Sequence, residues 1–304
     1  MSESTSEIPV RGLNSERFYP YHVTAITCIG ASLVGVVVIL YISFKSRLYK
    51  SFFQWTLSDR FVVYIAACDG LFNLSHVLDH VQMVVTRSHV HPRNLCVVYA
   101  FLVVVFTTAK GLLVSAIALN SFCAVHFGKS VNFGSYDWKL HLFILGIPSM
   151  EASLAVLLNK LGPTGLFCGI QERVALMVMT TVPATLILVV TCSLYVIIWC
   201  RIRREIRRLQ SAKQALKHNA TKIMTLFVTA YVVQWSSVSA SGIFSFHGEV
   251  FEVMDYFVIT TTNLGGVFNG IAFLAIQVMR VRQKNMVIQP KLVPRNIETG
   301  GTKF

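Results

Sequence analysis

Charge is scarce in this sequence. Only 13% of its 304 residues are Asp, Glu, Lys or Arg, about half the share found in an average soluble domain. With 54% hydrophobic residues and a mean hydropathy of +0.60, a soluble globular fold is excluded and the chain reads as an all-α integral membrane protein. Glycine and proline are absent from 184 to 241, so no local breaker interrupts a helix across that stretch. The first 21 residues have no basic-then-apolar leader pattern and no Asn-x-Ser/Thr acceptor, so the first hydrophobic run is expected to stay as a span. No internal repeat is visible, which speaks against a transporter built from repeats.

What is present is a series of long apolar runs. They predict a seven-transmembrane helix bundle with spans at about 22–44, 61–85, 94–127, 140–158, 174–200, 220–246 and 253–279, each about as long as, or longer than, the ~20 residues that cross a bilayer. Residues 1–21 form a polar leading segment. Residues 281–304 are read as a short interfacial helix and a disordered tail that lacks a cysteine for a lipid anchor. Pro148 and Pro183 fall inside the fourth and fifth spans, where neighbouring helices can satisfy the freed carbonyls.

Orientation follows from the basic residues. With the N-terminus outside and the C-terminus cytoplasmic, 20 of the 27 Lys and Arg lie in inner segments and six in outer ones, as the positive-inside rule requires. The remaining one is Lys110, in the middle of the third span. A charge at that depth needs a counter-charge or a wet cavity, so the third span is expected at the centre of the bundle. Of the seven cysteines, Cys96 and Cys168 are the two on the outer, oxidising side and are expected to pair, the alternative being two free thiols.

Several features appear in order along the chain: Asp69 in AACDGLF, an outer Cys opening the third span, its expected partner in the second outer loop, a proline in the fifth span, Trp235 in YVVQW and Asn269 in NGIAF. In this order and spacing the chain resembles a divergent, orphan-type branch of the rhodopsin-like (class A) G-protein-coupled receptors, from about residue 22 to 288. The resemblance implies a multi-pass plasma-membrane receptor that passes a small-molecule or short-peptide signal to a heterotrimeric G protein. It implies no enzyme activity, cofactor, metal or nucleic-acid partner. The departures are specific. Asn120-Ser121-Phe122 stands where the family has Asp-Arg-Tyr, and Asn269-Gly270-Ile271-Ala272-Phe273 replaces Asn-Pro-x-x-Tyr. Coupling residues carried over by position are Asn120, Ser121 and Phe122, with Arg203, Arg204, Arg207, Arg208 and Lys217 on a predicted cytoplasmic extension of the fifth span. The same basic residues suit anionic membrane lipids.

By the same resemblance Asp69 and Lys110 occupy a central sodium pocket. The expectation is that the Lys110 ammonium stands in for sodium between Asp69 and Asn269, with Gly265 and Gly266 leaving room. The plainer reading is a buried pair that fixes helix register. Ligand-lining candidates by register are His76, His80, Tyr99, Val103, Phe106, Thr107, Trp235, Ser239, Thr260 and Asn263. Val103 holds the place where amine receptors carry an acid, so an amine ligand is not expected. Asn263 holds the place of the lysine that a retinal protein requires. His76 and His80, one turn apart, suit metal binding or pH sensing, or simply a polar, water-lined wall. The fifth and seventh spans contain no histidine, which disfavours an intramembrane zinc hydrolase. A non-signalling or transport-type seven-span protein is the other alternative.

Overall fold

The computed structural model describes residues 8–206, 212–246 and 252–288, with the side chains of 205–224, 245–246, 252 and 282–288 outside the description. Its elements are α1 (Phe18–Lys45), α2 (Leu57–Thr86), α3 (Arg93–His126), α4 (Ser135–Leu157) and the strands β1 (Leu161–Pro163) and β2 (Cys168–Ile170). They continue with α5 (Arg173–Arg204), α6 (Ala212–Phe246), α7 (Glu252–Asn263) and α8 (Gly265–Ile288). Together they make a helical membrane bundle. Helices α1 to α5 are each long and apolar enough to cross a membrane, and the bent pair α7–α8 adds a sixth. The apolar run of α6 is interrupted by Gln234, Ser236, Ser237, Ser239 and Ser241.

Helix α3 is central, packed against α2, α4, α5, α6 and both strands. Around it, α1 closes the ring by packing on α2 and on α7 and α8. The division of α2 shows why the bundle assembles this way round. Leu71, Leu74, Leu78, Val81 and Val85 form its exposed stripe, whereas Asp69, Asn73, His76 and His80 are buried. In lipid the leucine face needs no partner, and the polar face must find its hydrogen bonds inside.

Local chemistry explains the element ends. Helix α2 starts four residues before the expected span because Thr56 and Asp59 cap it reciprocally: Asp59 N–H donates to Thr56 Oγ1, and the Thr56 hydroxyl donates to Asp59 Oδ2 at 2.7 Å. Both internal prolines follow a wide turn, at Leu142–Gly146 before Pro148 and at Met177–Thr181 before Pro183. Each wide turn moves away the carbonyl that the proline ring would strike. Helices α1 and α8 touch backbone to backbone. A methyl group on Gly35 would lie 2.9 Å from the Gly266 carbonyl carbon, and one on Gly266 would lie 2.9 Å from that of Ser32.

At the end of the chain one expected span proves bent and one expected element is replaced. The run 253–279 is two helices, bent by 49° between Asn263 and Gly265. Here the Thr262 carbonyl leaves the helical ladder to accept from Gln234 Nε2 at 2.6 Å, while the Thr261, Thr262 and Asn263 side chains bond back to Phe257, Val258 and Ile259. The residues after Met279 continue α8 to Ile288 without a break, so no separate interfacial helix forms there. The tail beyond Pro290, read as disordered, lies outside the described residues.

At one end of the bundle the Cys96–Cys168 disulfide joins α3 to the β1–β2 hairpin, with Cα atoms 5.3 Å apart. The hairpin tip turns into the bundle. Leu166 packs with Tyr21, Ile259 and Tyr256, and Phe167 sets its edge on His76 with ring centres 5.1 Å apart. The leading segment lies over this hairpin: Arg11 N–H donates to Gly165 O at 3.0 Å, and the Arg11 guanidinium pairs with Asp255 at 2.6 Å.

Candidate functional site

The centre of the bundle holds one carboxylate and one ammonium, both withdrawn from solvent. Asp69 is 0% exposed and Lys110 3%. Lys110 Nζ donates to Asp69 Oδ1 and to Gln234 Oε1, and Asn269 Nδ2 donates to Asp69 Oδ2. Gln234 then uses its own Nε2–H on Thr262 O. One continuous set of hydrogen bonds therefore joins α2, α3, α6 and the α7–α8 break. Each carboxylate oxygen and both ends of the Gln234 amide are satisfied, the condition under which a buried ion pair is tolerated.

Gly265 makes this closeness possible. A methyl group there would lie 2.7 Å from Asp69 Oδ1 and 2.8 Å from Lys110 Nζ. Gly266, expected beside it, instead meets α1: its N–H donates to Ser32 Oγ at 2.7 Å, and the same oxygen accepts from Asn73 Nδ2 at 2.9 Å. Sequence reasoning missed Gln234. The available signal was a carboxamide in the apolar run of α6, directly before Trp235.

The ligand-lining candidates fall into three groups. His76 and His80 lie in a row of rings that also includes His22 of α1. Tyr99 and Phe106 pack into the apolar cluster around the disulfide, which faces α4, and Val103 of the same helix is buried. Trp235 packs with Tyr231, Val114 and Leu188 and reaches Phe72 at 6.5 Å between ring centres. Trp235 Nε1, Ser239 Oγ and Asn263 Oδ1 are buried polar atoms without a hydrogen-bond partner among the described residues. Thr107 and Thr260 are half-buried.

At the opposite end, the residues in the Asp-Arg-Tyr position are taken up internally. Asn120 Oδ1 accepts Val131 N–H at 2.9 Å, Ser121 is buried, and Phe122 stacks on His126 with ring centres 4.3 Å apart. Ion pairs elsewhere hold the helix ends. Asp59 of α2 takes Arg47, in the turn after α1, at 2.6 Å and Arg280 of α8 at 2.9 Å. Arg60 and Tyr64 both hold Asp137, at the start of α4. Arg203 and Arg204 are exposed, whereas Arg207, Arg208 and the Lys217 side chain lie outside the described residues.

No family model matches this sequence, and no curated protein matches it. Among solved structures, 737 chains match. The crystal structure of squid rhodopsin aligns with 91% of this chain and 88% of its own, at a TM-score of 0.65 and 12% sequence identity. The fold is rhodopsin-like. In this rhodopsin-like bundle the disulfide, the central helix α3 and the buried Asp69 are the elements on which the remaining helices converge.

Proposed function

We propose that the chain is a seven-span receptor of the plasma membrane, N-terminus outside and C-terminus cytoplasmic, that passes an extracellular small-molecule or short-peptide signal to heterotrimeric G proteins. The distribution of basic residues supports the orientation. The observation that carries the reading is the bond from Lys110 on α3 to Gln234 on α6. It ties the helix bearing Trp235 to the central ion pair, so a shift of α6 relative to α3 must exchange a buried charged hydrogen bond. Such a link has two discrete states, made and broken, as a switch requires.

In this reading the Lys110 ammonium takes the place of a bound sodium ion. A ligand would enter from the disulfide end and satisfy the unpartnered Trp235 Nε1, Ser239 Oγ and Asn263 Oδ1. Ser239 lies one turn from Trp235, and Trp235 adjoins Gln234, so the contact acts directly on the switch. On the inner face, Asn120, Ser121 and Phe122 are already engaged within the bundle. The G protein would therefore meet the exposed Arg203 and Arg204 of α5, a surface equally suited to anionic lipid headgroups.

The test is basal guanine-nucleotide exchange on a panel of heterotrimeric G proteins, in membranes carrying the wild type, Lys110→Ala or Gln234→Leu at equal surface expression. Exchange above empty membranes that changes in both variants is expected. A second reading, a non-signalling membrane protein, is favoured by the buried Ser121, which stands where the family presents an arginine. Silence of all three proteins, and of a variant with Asp-Arg-Tyr at 120–122, would select it.

A further inference from the structure

Three imidazoles from two helices stand in a row at the disulfide end of the bundle. His22 Nδ1 of α1 lies 2.7 Å from His80 Nδ1 of α2, and His80 Nε2 lies 3.3 Å from His76 Nε2. Beyond them, His76 Nδ1 faces Asp79 Oδ2 at 4.0 Å. All four side chains are buried, His22 and Asp79 completely. Asp79 Oδ2 also accepts the Cys168 N–H at 2.6 Å, which connects the row to the disulfide hairpin. The outermost atoms, His22 Nε2, His76 Nδ1 and Asp79 Oδ1, have no hydrogen-bond partner among the described residues.

A metal ion does not suit this row. His80 stands between the other two rings and turns a different nitrogen to each. Among the described residues no three His, Cys, Asp or Glu side chains converge on one point.

Counting protons shows what the row can hold. Three neutral imidazoles carry three N–H protons. Two fill the ring-to-ring bonds, and the third sits at one end, on His22 Nε2 or on His76 Nδ1. Both arrangements use the same heavy-atom positions, so reversing every bond moves the end proton from α1 to α2. With the rings neutral and Asp79 ionised, the cluster has a net charge of −1. One added proton occupies the remaining bare end, or Asp79 itself, and brings the net charge to zero.

Several other charged groups at this end have partners of their own. Arg11 of the leading segment pairs with Asp255 of α7, and Arg87 of the α2–α3 loop bonds to Tyr19. His89 of the same loop donates to Ile8 O at 2.5 Å, and Lys160 pairs with Glu172 beside the hairpin. Tyr21 of α1 stacks on Tyr256, and Arg17 and Arg93 open α1 and α3. Deeper in the bundle, Lys110 is committed to Asp69 and Gln234. Among the described residues only the imidazoles are placed to compensate Asp79.

We propose that His22, His80, His76 and Asp79 form a proton-binding site that holds one exchangeable proton and couples its occupancy to the bond between α2 and the disulfide hairpin. The proton is shared along the row, so the three rings titrate as a unit. Acid on the disulfide side is then a chemical input to the bundle, separate from whatever ligand reaches Trp235.

The experiment uses the full chain with nitrogen-labelled histidine in lipid nanodiscs. Ring-nitrogen resonances are followed by NMR from about pH 8 to about pH 5, the range in which histidine ordinarily changes charge. The expected result is one midpoint common to His22, His76 and His80, moved by about one pH unit or more in Asp79→Asn. In His80→Gln, which cuts the row at its centre, His22 and His76 are expected to lose their common midpoint. Retention of the Cys96–Cys168 bond and of the remaining spectrum marks each variant as folded. Separate midpoints in the wild type, rings unresponsive across this range, an unmoved midpoint in Asp79→Asn, or a common midpoint surviving in His80→Gln would each overturn the proposal. No G protein enters the measurement, so its failure leaves the receptor reading untouched.

Discussion

Lys110 of α3 and Gln234 of α6 are 124 residues apart in sequence and joined by a hydrogen bond at the core of the bundle. The bond makes a carboxamide, in place of a second carboxylate, the other acceptor for a buried ammonium. One carboxylate already balances the charge of Lys110. A neutral acceptor completes its hydrogen bonding without leaving a net negative charge in the membrane interior.

Breaking this set from either side is expected to be costly. Asp69→Asn leaves the Lys110 charge uncompensated and should destabilise the protein by about 3–5 kcal/mol. Gln234→Leu removes one charged hydrogen bond and should cost about 1.5–3 kcal/mol. The double variant Asp69→Asn, Lys110→Met should be more stable than Asp69→Asn alone, because no unpaired charge remains. Thermal unfolding in nanodiscs reads all three, and a double variant no more stable than Asp69→Asn would contradict the pairing.

Sodium should have no specific effect on the wild type. With the ammonium filling the space between Asp69 and Gln234, unfolding midpoints in sodium and in a bulky organic cation at equal ionic strength should coincide. Lys110→Ala vacates that space beside an intact carboxylate and should acquire stabilisation by sodium that Asp69→Asn abolishes. A sodium effect in the wild type, lost in Asp69→Asn, would show that the lysine does not take the ion's place.

Two glycines give a controlled comparison. Gly265→Ala places a methyl group against Asp69 and Lys110, and overpacking of this kind costs about 1–3 kcal/mol. Gly30→Ala meets nothing within 4 Å and should be neutral or slightly stabilising through helix propensity. Equal unfolding midpoints for the two variants would mean that the centre is looser than the distances imply.

The Cys96–Cys168 bond closes a loop with a sequence separation of 72. Replacing Cys168 by Ser should cost about 2–5 kcal/mol and loosen the hairpin that covers His76. Faster proteolysis between 160 and 172 in the variant is the expected readout. Cleavage no faster than in the wild type would argue that the Asp79 bond to Cys168 N–H and the leading segment hold the hairpin unaided.

The sequence by itself determined that the chain is a helical membrane protein and where most of its helices run, because apolar length is a property of a contiguous stretch. It also flagged Asp69, Lys110, Cys96 and Cys168, since an intramembrane charge demands a partner and two cysteines read on one oxidising side are expected to pair. Partner identity was only partly legible. Gln234 and His22 lie on helices far from Lys110 and His80 in sequence, and no periodicity along one helix says which residue of another will meet it. The break at Leu264 was hidden for the same reason: the Thr262 carbonyl leaves its helix because a side chain of α6 takes it. Which glycine served the ion pair and which served the contact with α1 was likewise decided by packing, since Gly265 and Gly266 are neighbours that point in different directions around one helix. Local sequence sets helices and their lipid-facing stripes. Only the tertiary arrangement satisfies the buried polar groups, because each must be matched from another element in a medium without water.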